Sequence, residues 1–243
     1  MSKAAKEQRI EELARAAHKE LRASSWYEAE RLALRALDLA HRDRAWDVMA
    51  SVVLPLQEAR RQRMRLAIDC EVLRLVESPI PEDPQVEAGC YLVQPPQVGA
   101  DARRLRLSAL HREVPILVVC REPTTKLSEV PIVAVGPVTV RAKVDPPPKK
   151  GYTMPWFLMA GRELGAAAIQ ALDTGLEWHR QVQYLVGCLD AIADHEELHQ
   201  ALHDVCLRAA AAGACGDEDA HDPLDDELEL DDGSSAIREN DEA

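Results

Sequence analysis

Apolar and polar positions change period twice along the chain. From residue 7 to about residue 76 the apolar residues recur at helical spacing. Ile10, Leu13, Ala14, Ala17 and Leu21 share one stripe over 7–22, and Leu32, Ala36 and Leu39 share another over Trp26–His41. A third helix is predicted from Ala45 to Val53, ended or kinked at Pro55. A fourth is predicted from Leu56 to Val76, with Ala59, Leu66, Cys70 and Leu73 inward. Short turns between such helices imply antiparallel neighbours. After a proline-rich segment, 77–89, the pattern turns to β. Cys90–Val93 and Pro115–Cys120 are short apolar runs, and Pro131–Val135 is a third. Over 138–144, Val138, Val140, Ala142 and Val144 alternate with Thr139, Arg141 and Lys143, the signature of a half-buried strand. Helical spacing returns at Pro155, through the stripes Phe157–Ala160–Leu164–Ala168, Trp178–Val182–Leu185–Leu189 and Leu198–Leu202–Val205.

These elements predict an α+β (mixed α/β) fold. It has a helical region over 1–76, a linker over 77–89, and a small α/β domain with C-terminal helices over 90–212. The expected sheet has three or four strands. A helix over about 101–112, with Leu105, Ala109 and Leu110 inward and Arg103, Arg104, Arg106 and Arg112 at its flanks, lies between two of them and makes a βαβ unit. Gly136-Pro137 divides the last two runs, which form either a hairpin or one strand broken at a bulge. Gly161 and Gly165 weaken their helix intrinsically, so close packing against a neighbour is the expected compensation.

Charge changes the picture at one end. Of the formal net charge of −13, nearly all falls after Gly216, where acidic residues crowd around a single Arg238. The remainder is close to neutral, and 213–243 reads as a disordered acidic tail. No basic stripe points to nucleic acid. Aromatic content is 4% with one Phe, so the core must be aliphatic. The six cysteines form no C-x-x-C pair and several lie in apolar runs, which predicts buried free thiols in a reducing compartment. With no signal-like segment and no apolar run long enough to span a bilayer, the expected location is the cytoplasm and no membrane partner is expected.

The segment SSWYEAERLALRALDLA carries Trp26, Tyr27, Ala29, Ala36 and Leu37 at positions that resemble a tetratricopeptide-repeat helical hairpin. Small residues at 29 and 36 would let two helices approach closely. The resemblance implies a protein-binding surface rather than chemistry.

Three constellations are candidates for function. Arg60, Arg61, Arg63 and Arg65 cluster on the fourth helix; they read as a solvated face, or as a contact for an acidic partner such as the chain's own tail. His195-Glu196-Glu197-Leu198-His199 is similar to the H-E-x-x-H motif of zinc metalloproteases, in which two histidines hold the metal and the glutamate (here Glu196) is the general base. Against that, Asp194 and Glu197 have the spacing of a capping box, so the motif would open a helix rather than lie within one, leaving His199 and His203 on a solvated flank. Cys120 stands at the end of a predicted central strand beside Arg121, where α/β folds bind small ligands; a buried structural thiol is the favoured reading. The sequence therefore points to a non-catalytic protein-interaction or adaptor protein with an unidentified protein partner and no cofactor. A metal-dependent hydrolase and a small-ligand module near Cys120 are the alternatives.

Overall fold

The computed structural model describes residues 3–218. The three N-terminal helices are α1 (Lys3–Arg22), α2 (Trp26–Arg42) and α3 (Trp46–Ile68), each packed on the next. Ala29 and Ala36 of α2 are fully buried, consistent with the close approach that small side chains permit. Pro55 lies inside α3, so the two helices expected on either side of it are one. The chain leaves that helix sooner than its apolar stripe suggests. Glu71, with φ of 53°, turns it, and its N–H donates back to Ile68 O at 2.8 Å. Leu73–Val76 then forms strand β1, a segment the sequence assigned to helix.

Five strands form one sheet in the order β1-β2-β3-β4-β5, with β2 at Gly89–Val93, β3 at Ile116–Arg121, β4 at Val130–Val135 and β5 at Thr139–Val144. β1, β2 and β3 are parallel; β4 and β5 are an antiparallel hairpin turned at Gly136-Pro137, which decides the question the sequence left open. The segment 77–89 joins two neighbouring strands of this sheet rather than two separate bodies. The expected βαβ unit is β2, α4 (Gly99–His111) and β3. Asp101 opens α4 by accepting the Val98 N–H at 3.0 Å.

Strand alternation sorts the core into two layers. Cys90, Leu92, Leu117, Val119, Ile132, Val140 and Val144 face the large layer, built from α1–α3 and from α5 (Met154–Gln170), α6 (Trp178–Ala191) and α7 (Glu196–Glu218). Tyr91, Val93, Ile116, Cys120 and Val133 face Ala102, Leu105 and Ala109 of α4 on the other side. Arg141 and Lys143 are exposed, as the alternation of β5 requires. Among the described residues no helix is long and apolar enough to cross a membrane. α7 continues through Glu218, into the segment expected as a disordered acidic tail; the rest of that segment lies outside the described residues.

Candidate functional site

The sheet is not closed along its length. β3 meets β4 at Cys120–Val133 and Arg121–Ile132, the register continues through Glu122 and Pro131, and in the other direction, toward Val118 and Val135, the strands are not paired. Pro115 O accepts from Gly89 N on the β2 side, and Glu122 N donates to Pro131 O on the β4 side. By alternation the main chain of Val118 therefore points toward β4, where the opposed residue, Val135, is not paired with it. A cavity of about 320 Å³ occupies the opening. Leu117, Val119, Phe157, Leu158, Leu164 and Met64 give it an apolar floor. Ala191–Glu197, the turn from α6 into α7, closes one side, and Arg162, Glu196 and Glu197 stand exposed at the mouth.

Arg106 crosses to this cavity from α4, on the opposite layer, and donates to Asp190 O. Burial lowers its pKa, while Asp194 and Asp190 act in the opposite direction. Among the described residues no carboxylate reaches Arg106 at ion-pair distance; the Asp190 carboxylate is engaged by Arg103 at 3.3 Å. The sequence placed Arg106 on a helix flank, and its i, i+3 neighbours gave no sign of the gap it enters.

The HEELH segment forms the wall between this cavity and the helical layer. Its first histidine, not Asp194, is the N-cap: the His195 Nδ1 accepts the Leu198 N–H at 3.2 Å. With Nδ1 accepting, Nε2 carries the proton and donates to Arg162 O at 3.1 Å; Glu197 lies 3.2 Å from the same nitrogen. His199 is 1% exposed. Arg60, which can only donate, approaches His199 Nε2 at 3.3 Å, so Nδ1 carries the proton and donates to His195 O at 2.8 Å. The solvated flank expected for these residues is thus corrected for His195 and His199. α3 packs on α7 over this face, and Arg60 makes the site polar enough to bury an imidazole. Burial, with Arg60 adding to it, pushes His199 down to about 3, and burial also lowers His195. All four ring nitrogens are engaged. Glu196 is exposed and accepts from Gln57 at 3.2 Å. Among the described residues no three His, Cys, Asp or Glu side chains are grouped to hold a metal ion.

The four arginines of α3 do not form one surface. Arg60 and Arg63 are buried on Glu30 of α2: Arg60 Nε donates to Oε1 at 2.8 Å, and Arg63 Nη1 donates to Oε2. Arg63 also stacks 5.0 Å over the Tyr27 ring. Burial pulls the Arg60 guanidinium down to about 10, which leaves it charged at neutral pH. Arg61 is half-buried on Glu58, and Arg65 alone of the four is exposed.

Cys120 is buried toward α4, and burial pushes its thiol up to about 12, too high for a nucleophile near neutrality. Arg121 is committed to Gln94 at 3.1 Å and the Tyr152 hydroxyl at 2.9 Å. Neither residue lines the cavity. Gly161 does, a position whose lack of a packing neighbour no local pattern announces: a β-carbon there would meet only Val119 Cγ2, at 3.8 Å.

No protein family model, curated protein or solved structure matches this chain.

Proposed function

We propose that this protein is a non-catalytic protein-binding module that seats an apolar residue of its partner in the cleft between β3 and β4. The cavity carries this reading. It is a preformed depression with a mostly aliphatic floor and a rim that carries Arg106, Arg162, Asp194, Glu196 and Glu197, an apolar seat with polar groups around it as in small recognition pockets. The groups that chemistry would need are committed elsewhere: His195 and His199 hold α7 to its neighbours, and Cys120 is sealed under α4. A zinc hydrolase would require each histidine to give up a hydrogen bond. The resemblance of the Ser24–Ala40 segment to a tetratricopeptide-repeat hairpin supports binding in the same sense, and Arg61 and Arg65 are the arginines of α3 that reach solvent.

Methyl NMR tests the reading. Leu117, Val119 and Leu158 signals are expected to shift on addition of a randomised pentapeptide pool, and to remain still in a Gly161→Leu variant, whose side chain fills the cavity. Silent methyls in the unaltered protein would overturn it.

A further inference from the structure

Resting on that reading, we propose that the cleft takes its partner by the C-terminus: an apolar last side chain on the floor, its main chain along Val118, and its α-carboxylate at Arg106. Three independent features of the opening converge on such a ligand. The first is the edge of β3. Val118 presents its N–H and C=O toward a strand that does not pair with it, and an extended peptide satisfies such an edge by adding to it. The second is charge. Arg106 brings a guanidinium to the wall of the cavity, held in place through Asp190 O; Asp194 on the same wall favours its charge, but among the described residues no carboxylate stands at ion-pair distance. A planar guanidinium beside low-dielectric walls selects a carboxylate, which it binds through paired N–H groups. The third is size. About 320 Å³ is at the lower end for recognition pockets and suits one or two residues rather than a long segment. Upstream residues of the peptide would leave past Arg162, Glu196 and Glu197.

Fluorescence anisotropy tests this with labelled peptides of the form Gly-Ser-Gly-Ser-X, where X is Leu, Ile, Val or Phe, each as the free acid and as the carboxamide, with X as Asp for a control. The acids should bind at least tenfold more tightly than the amides and the Asp peptide. Arg106→Gln should bring acid and amide to within about twofold, and Arg106→Lys should restore part of the difference. Thermal melts of both variants establish that they fold. The Val118 amide resonance should move only with peptides that bind. If acid and amide bind equally, and both are lost in Gly161→Leu, carboxylate capture fails and the cleft reading survives. If no peptide binds the unaltered protein, both fail.

Discussion

The Cα of Gly165 lies against the imidazole of His195: a β-carbon at position 165 would fall 2.0 Å from His195 Cδ2 and 2.1 Å from Cγ. The glycine that weakens α5 is thus what lets the N-cap of α7 be buried. Gly161, one helical turn earlier, has no such neighbour.

The two glycines should therefore respond oppositely to the same change. Gly165→Ala forces the ring or the helix to move, and overpacking of this kind costs about 1–3 kcal/mol, only partly offset by better helix propensity. Gly161→Ala makes only an ordinary contact with Val119 and should gain about 0.5–1 kcal/mol. Urea denaturation of the two variants checks the pair. Equal effects would mean that the His195 ring does not lie against Gly165.

The difference between these glycines marks what was legible in the chain. Local patterns read correctly: the alternation of β5, the βαβ unit and the stripes of α5 and α6 need only neighbours in sequence. β1 was missed because Leu73–Val76 is four residues long and continues the stripe of α3, and because the helix ends at Ile68 and the chain turns at Glu71 with no glycine or proline to announce it. The histidines were placed on a solvated flank because their burial depends on Arg60, 139 residues away from His199. The cleft arises where two strands stop pairing, and both strands read as ordinary apolar runs. Long-range partners and missing partners leave no periodicity.

Glu30 balances two arginines in the interior, so removing it should be far worse than removing all three charges. Glu30→Ala leaves Arg60 and Arg63 buried without their carboxylate, and breaking a buried pair typically costs about 3–5 kcal/mol. The triple variant Glu30→Leu/Arg60→Met/Arg63→Leu removes the uncompensated charge together with its partners. It should be more stable than the single variant, by denaturant midpoint at unchanged slope. A single variant as stable as the parent would show that the cluster is hydrated and open.

Zinc should find no place at the HEELH segment. Both nitrogens of His195 and of His199 are hydrogen-bonded, and a metal would have to displace the N-cap and the Arg60 contact together. One equivalent of zinc should leave the thermal midpoint unchanged, since only a ligand that prefers the folded state raises it. A rise that disappears in both His195→Ala and His199→Ala would restore the hydrolase reading.

The buried histidines give the fold an acid limit. His199 is neutral in the folded state, held down to about 3 first by burial and then by Arg60. Once unfolded, an ordinary histidine protonates near pH 6.5. The depressed folded pKa means that the unfolded chain binds the proton first as the solution is acidified. This contribution to stability is therefore complete above about pH 6.5 and is lost as pH falls from there toward about 3. The slope is at most about 1.4 kcal/mol per pH unit for one proton. His195, lowered in the same direction, adds to the loss. His199→Gln removes one titrating site while keeping a group that can accept from Arg60 and donate to His195 O. Its stability should be lower than that of the parent at pH 7.5, and its curve flatter between pH 6.5 and 4. The free energy of unfolding, measured by urea titration at half-unit intervals, gives both curves. Carboxylate titration is common to the two proteins and cancels in their difference, which should shrink steadily below pH 6.5. Parallel curves across that window would show that His199 takes up its proton without unfolding, and that the Arg60–His199 contact does not hold the ring neutral.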